Sequence, residues 1–403
     1  MERAESLLMN KLYILSNSPG EVSGWVKPVA AALESENLPA ASELVLLPCP
    51  YASGREESYG REIRGIDESV SFRTLWKQKN NVQNCRNVLL QLGGDPMYGA
   101  LLSAKLRAKW TIYTARPRWK SRVDHYFLPD ARYLSKFEQS GINSSHVTVA
   151  GNLMIDSVPE CGSVCEMKSM FGMSDGERAI SFLPGSRPFE YRGGYPFFIT
   201  AAMEVLSKFR GCTAFLPVAP TVDETILQKG LAESGISWSG GECAREIIWR
   251  GSGRIRLVRE HQYQAIKASD LAVALPGTNN LQIASLGVPL LMVAPLNEAE
   301  NIPLDGIPGI IPLSLPGAKR LKKKLVMWYS AKEKYVSLPN RISGKDIVPE
   351  YRGIMTPHMV ADLVSDLLSS PEKTGKIREG YSSFLSFERG AAKKIVQKLT
   401  EYF

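Results

Sequence analysis

Four stretches of this sequence set glycine and small hydroxyl or amide residues at the end of a short apolar run, three of them with a charged side chain, a pattern suited to holding an anion or moving a proton. Ser16-Asn17-Ser18-Pro19-Gly20-Glu21-Val22-Ser23-Gly24 follows the run 12–15, and its small residues let backbone N–H groups face a ligand, with Gly20, Glu21, Ser23 and Gly24 as candidate contacts. Gln91-Leu92-Gly93-Gly94-Asp95-Pro96 ends the run 88–92 and puts a carboxylate on a glycine-flanked turn. Leu183-Pro184-Gly185-Ser186-Arg187 ends the run 179–183; Ser186 is a candidate contact, and the planar fork of Arg187 matches phosphate oxygens. Leu275-Pro276-Gly277-Thr278-Asn279-Asn280-Leu281-Gln282 ends the run 271–275, with backbone donors at Gly277 and Asn279 and the Thr278 hydroxyl aimed at an anion. Each residue also has a plainer reading. Glycine turns are needed by topology anyway, Asp95 before a proline suits a helix cap, and Arg187 suits a solvated surface.

Turns of this kind are useful only where elements hold them at one edge. Runs at 12–15, 44–47, 88–92, 111–113, 125–128 and 147–150 alternate with helix-length segments, which predicts a parallel α/β sheet. A second series restarts at 179–183, 213–217, 255–258, 271–275 and 290–293. The stretch 159–175, with Gly162 and Gly172, suits a connection, so the expectation is a first domain over 1–165 and a second over 172–377, divided near 170. Residues 356–370 and 380–402 look helical, the latter through Phe384, Leu385, Ile395, Val396 and Leu399. In open α/β sheets ligands sit beyond the carboxyl ends of strands, and two facing halves that each carry such turns imply a cleft able to hold a diphosphate.

Composition narrows the classes. The 403 residues, 44% apolar and 22% charged, are those of an ordinary folded protein with two cores, neither disordered nor fibrous. No apolar run approaches the roughly 18–20 residues that cross a bilayer, and no export signal is visible, so a cytoplasmic protein is expected. Six cysteines form no CxxC pair and read as reduced thiols. Four histidines stand at no metal spacing, and neither a dinucleotide nor a P-loop glycine motif occurs, so no metal and no NAD or ATP is expected. The net charge of +8 implies anionic partners. From 96 to 123 there is no acidic residue, while Lys105, Arg107, Arg116 and Arg118 mingle with Trp110 and Trp119. That segment reads either as a solvated face or as a surface for anionic lipid; no RRM or KH signature supports nucleic acid. The lysine-rich run 319–324 reads as the polar face of an ordinary helix.

The motifs resemble, in order, those of the lipid-A-disaccharide synthase family. Pro19 to Gly24 is similar to its G-E-x-S-G-D turn, Val149-Ala150-Gly151-Asn152-Leu153-Met154-Ile155-Asp156 to its V-G-H-P-x-x-D segment, and Leu183 to Arg187 repeats its L-P-G-S-R. The stretches 257–263, 275–289 and 301–312, with Asp305-Gly306-Ile307-Pro308, are similar to its nucleotide-binding half. Trp25, Asn152, Leu92 and Gln282 depart from the pattern, marking a divergent relative. The resemblance implies a GT-B glycosyltransferase with two Rossmann-like domains facing a cleft, the last helix (about 378–403) crossing back onto the first. It implies an inverting transfer of an acylated glucosamine-type sugar from a UDP-sugar to a lipid-linked sugar phosphate, with no cofactor and no metal, at the inner face of the cytoplasmic membrane. Asp95 would take the acceptor proton, and Arg187, Gly277 and Thr278 would meet the diphosphate. Gln282 stands where such folds place a ribose-binding Glu. Lys105, Arg107, Arg116, Arg118 and Trp119 would face lipid. A UDP-sugar epimerase or a non-catalytic binder on the same fold are the alternatives, and a homodimer is left open.

Overall fold

The computed structural model describes residues 10–49, 56–78, 86–185, 187–219, 222, 225, 227–228, 245–249, 253–302, 317–385 and 389–403. The chain divides into two compact units, Met1–Ser157 with Ser386–Phe403 and Val158–Leu385. The first division therefore precedes the expected one. The stretch taken as a connection contains helix Val164–Met170, whose Met167, with Phe171 and Met173 just after the helix, packs with Phe215, Ala265 and Ala268 of the second unit.

Unit 1 is built on seven parallel strands, β1 (Asn10–Ser16), β2 (Ala41–Leu46), β3 (Glu68–Ser71), β4 (Arg86–Gln91), β5 (Lys109–Tyr113), β6 (His125–Leu128) and β7 (Val147–Val149), in the order β3-β2-β1-β4-β5-β6-β7. A parallel strand covered on both faces needs apolar side chains at successive positions, hence unbroken runs such as 88–90. Successive residues then feed opposite layers: Leu12 and Ile14 join one core with helix α1 (Lys27–Ser35), while Tyr13 and Leu15 join the other with Leu75 of α2 (Phe72–Lys77) and Leu102 and Leu106 of α3 (Pro96–Leu106).

Helix Ala391–Leu399 completes the first of these layers by burying Ile395, Val396 and Leu399 beside α1. Its start is fixed by Asp156, whose carboxylate accepts from Gly390 N at 2.9 Å and Ala392 N at 2.7 Å. Residues 380–402 are therefore not one helix. Pro371–Ser382 ends before this one begins, and Phe384 and Leu385 belong to unit 2.

Unit 2 repeats the plan with β8 (Ala179–Leu183), β9 (Thr213–Pro217), β10 (Arg245–Trp249), β11 (Gly253–Val258), β12 (Leu271–Ala274), β13 (Leu290–Pro295) and β14 (Glu350–Gly353), ordered β10-β11-β9-β8-β12-β13-β14. All pairs are parallel except β10 with β11. Its helices include α4 (Val164–Met170), α5 (Pro188–Lys208), α6 (Gln262–Lys267), α7 (Asn279–Ser285) and α8 (Ala318–Lys332). Strands β3, β10 and β14, absent from the sequence reading, are all edge strands. An edge strand is only partly covered and needs no apolar run, as ESVS in β3 and EYRG in β14 illustrate.

The strand orders reverse direction between β1 and β4 in unit 1 and between β8 and β12 in unit 2. Those are the switch points at which open α/β sheets leave a crevice for ligands. The four turns singled out by composition follow these four strands.

Candidate active site

In unit 1 the turns after β1 and β4 are tied together. Leu92 N and Gly93 N both donate to Leu15 O, at 2.9 and 3.2 Å. Glu21 lies against the glycine turn so closely that a Cβ on Gly93 would fall 1.9 Å from its Oε2, so any side chain at 93 would displace the carboxylate. Glu21 Oε2 also accepts from Asn17 N at 3.4 Å. Asp95 is exposed, and its Oδ1 accepts from Met97 N at 2.8 Å, capping α3. Its backbone is held by Gln91, whose buried Nε2 donates to Gly93 O and Asp95 O, both at 3.1 Å. After the first turn, Val22–Val26 forms a single π-helical turn, a departure often found at functional sites. Ser23 Oγ donates to Gly20 O at 3.4 Å, and Gly24 is buried beside Met154. The structure thus brings Glu21 and the turn 93–95 together, and turns Ser23 and Gly24 to the helix itself.

In unit 2 the turn after β8 is built around Glu190. Gly185 has φ +102, and a Cβ there would lie 2.2 Å from Glu190 Oε2. That carboxylate accepts from Arg187 N at 2.8 Å, while Arg187 Nη1 lies 3.7 Å from Oε1. The Arg187 side chain is 34% exposed and that of Glu190 9%, so the acid is buried as a support and the guanidinium is presented outward.

Both residues line a cavity of about 410 Å³, a size ordinary for small-molecule sites. Its apolar wall includes Phe197, Leu275, Pro276 and Leu296; Asn297, Glu298 and Asn301 supply polar groups after β13. Gly193 and Gly194 form part of the wall from inside α5. Glycine inside a helix costs about 1 kcal/mol relative to alanine, so the pair is a sequence signal of a close approach that the turn motifs alone did not reveal.

The lining ends at Pro276. Gly277, Thr278, Asn279 and Gln282 follow it without lining the cavity, and Asn280 explains why. It is fully buried, its Oδ1 accepts from Gly277 N at 3.4 Å, and its Nδ2 donates to Leu275 O at 3.0 Å, so the turn is pinned inward. Thr278 caps nothing with its side chain, and Gln282 Nε2 donates to Tyr263 Oη at 2.9 Å. Ser186 and Asp305 to Pro308 lie outside the described residues.

The basic segment is heterogeneous. Lys105 Nζ donates to the carbonyls of Trp76 and Gln78 and sits 5.2 Å from the Trp76 ring centroid. Arg107, Arg116 and Arg118 are exposed, and Trp119 leans on buried Trp110 with centroids 6.0 Å apart. Helices α2 and α3 also expose Trp76, Met97 and Leu101. Among the described residues no group of three His, Cys, Asp or Glu side chains is placed to hold a metal, and no helix is long and apolar enough to cross a membrane.

Residues 135–298 match a family model described as lipid-A-disaccharide synthetase. The lipid-A-disaccharide synthase of Syntrophus aciditrophicus (strain SB) is 26% identical over 247 residues, 61% of this chain and 54% of that protein. That of Geobacter metallireducens is 23% identical over 273 residues, 67% of this chain and 60% of that protein. Over these stretches the chain is similar to the lipid-A-disaccharide synthases. It spans little more than half the length of these curated lipid-A-disaccharide synthases. The matched stretch holds β8, β12 and β13 with Arg187, Glu190 and the cavity wall up to Glu298, and leaves out Glu21 and Asp95. Among solved structures, the UDP-GlcNAc 2-epimerase from Neisseria meningitidis bound to UDP-GlcNAc aligns over 98% of this chain and all of its own, with TM-score 0.53 and 14% identity. That likeness is one of fold, two Rossmann-like domains each built on a parallel sheet.

Proposed function

We propose that this chain is an inverting glycosyltransferase that moves an acylated glucosamine-type sugar from a UDP-sugar to a lipid-linked sugar phosphate, as in lipid A disaccharide synthesis. The observation that carries the reading is the unit 2 cavity: Arg187, braced by Glu190, opens into it at the sheet's switch point, inside the stretch that matches the family. UDP-sugar binds there, with the diphosphate on Arg187, and needs no metal. Charge that builds on the departing diphosphate is stabilised by the guanidinium, already oriented and so free of reorganisation cost. In unit 1, Asp95 takes the acceptor hydroxyl proton. Its Oδ1 is committed to the helix cap, which leaves Oδ2 for the base role, while Gln91 and Glu21 hold the turn. Direct displacement inverts the anomeric carbon.

The acceptor's acyl chains and the anionic bilayer meet the surface of Trp76, Met97, Leu101 and Trp119 with Arg107, Arg116 and Arg118 at its border, so the protein works peripherally at the cytoplasmic face.

The test is an assay with UDP-sugar and extracted lipid acceptors, reading UDP release and product mass. UDP release with a product heavier by one acylated sugar supports the proposal. Interconversion of two UDP-sugars without any acceptor would establish an epimerase instead.

A further inference from the structure

Helix α8 carries chemistry that the transfer reaction does not use. From 317 to 332 the chain has Lys319, Arg320, Lys322, Lys323, Lys324 and Lys332 and no acidic residue. Its inner side is ordinary: Val326 packs with Leu296 and Ala299, Lys323 Nζ donates to Asn297 O at 2.8 Å, and Ser330 lines the cavity. Its outer side is not the purely polar face that the lysine run suggests. At helical spacing, Arg320, Lys324, Met327 and Ala331 form one outward row and Leu321, Lys324, Trp328 and Lys332 the next. Leu321 is 51% exposed and Trp328 60%, with Lys332 Nζ 5.2 Å from the Trp328 ring centroid. Among the described residues none of Arg320, Lys324 and Lys332 has a carboxylate within ion-pair reach.

A solvated helix face carries charge of both signs and few large apolar groups. A face of cations interleaved with Trp, Leu and Met fits the boundary of an anionic bilayer, where apolar groups enter the acyl edge and cations meet lipid phosphates. We infer that the outer face of α8 docks on an anionic lipid bilayer, which sets the unit 2 cavity beside the membrane, one helix thickness away. Unit 2 then has a membrane contact of its own, separate from the basic surface of unit 1. The inference stands apart from the transfer reaction, because its readout is vesicle binding and not turnover.

The experiment is co-sedimentation of the full chain with phosphatidylcholine vesicles with and without phosphatidylglycerol. Arg320→Glu/Lys324→Glu/Lys332→Glu is compared with Arg107→Glu/Arg116→Glu/Arg118→Glu, and melting and UDP binding confirm that each variant is folded. Each cation near the surface contributes about fivefold in partitioning, so the α8 triple variant is expected to lose on the order of 100-fold toward anionic vesicles. Leu321→Ser/Trp328→Ser is expected to weaken the same binding while leaving the charge intact. Brominated lipids give a readout without charge reversal: they should quench wild-type fluorescence more than that of Trp328→Phe. Wild-type vesicle binding by the α8 triple variant, or equal quenching of wild type and Trp328→Phe, overturns the inference. So does a result in which Leu321→Ser/Trp328→Ser binds vesicles normally and single-stranded RNA binds the same cations, since the face would then be a nucleic-acid surface.

Discussion

Asp95 caps a helix and is proposed as the base, and a single substitution can separate the two roles. Asparagine keeps the Oδ1 acceptor that caps α3 at Met97 N but cannot take a proton. Asp95→Asn is therefore expected to leave the melting temperature unchanged and to lower turnover by about 10²–10⁴, with UDP affinity within a factor of about two. Loss of stability together with activity would make the residue a cap alone. Full activity would transfer the base role to another group, with Glu21, which lies against the same glycine turn, the first to test. Arg187→Ala should weaken UDP binding by about 1.5–3 kcal/mol in calorimetry, the range for a charged hydrogen bond.

A third residue registers pH without touching either site. His125 is buried with one ring nitrogen 2.8 Å from Thr148 Oγ1, and burial pushes its pKa down to about 4 from 6.5. The unfolded chain binds this proton near pH 6.5 and the folded chain only near 4, so the neutral ring's contribution is complete above 6.5 and is lost as pH falls between those values. At about 1.36 kcal/mol per unit the loss is at most about 3 kcal/mol. Melts at pH 7 and pH 4.5 should converge for His125→Gln relative to wild type. An unaltered pH slope in that variant would remove His125 from the account.

At the scale of elements, unit 1 depends on a helix that arrives from the far end of the chain. Asp156 holds its first turn through two hydrogen bonds to backbone N–H groups, and Ile395, Val396 and Leu399 fill the layer above α1. Asp156→Ala removes charged acceptors from two N–H groups and is expected to cost about 1.5–3 kcal/mol, whereas Asp156→Asn, which keeps one acceptor oxygen, should recover part of it. Chemical denaturation of the three proteins checks this, and equal midpoints would show that the apolar contact alone fixes the helix. The aspartate closes a motif similar to the family's V-G-H-P-x-x-D, which gives that motif a structural task. The helix itself was legible as an amphipathic period, but its first residue was not. Phe384 and Leu385 continue the period by accident of composition and belong to unit 2.

At the scale of the whole molecule, two Rossmann-like units divide the work proposed for them. Donor binding, proposed for unit 2, should stabilise the protein in proportion to ligand occupancy, by about 2.7 kcal/mol at a hundredfold excess over Kd. UDP is expected to raise the melting temperature equally in EDTA and in magnesium, and a shift present only with magnesium would end the metal-free reading. The alternation of apolar runs and helices, the restart after 179 and the glycine turns at strand ends were all readable in the sequence. Parallel strands covered on both faces must be continuously apolar, and tight turns must be glycine-rich, so fold class and the four turns are written in composition and order. The edge strands β3, β10 and β14 were not readable, because half-covered strands place no such demand on their residues. Nor was it readable that Asn280 turns Gly277 inward, that Glu190 braces Arg187, that Gly193 and Gly194 open the cavity wall, or that Trp328 shares a face with Lys332. Those relations depend on which side chains meet after the chain has closed on itself, and spacing along the sequence carries no record of that until the tertiary structure sets the distances.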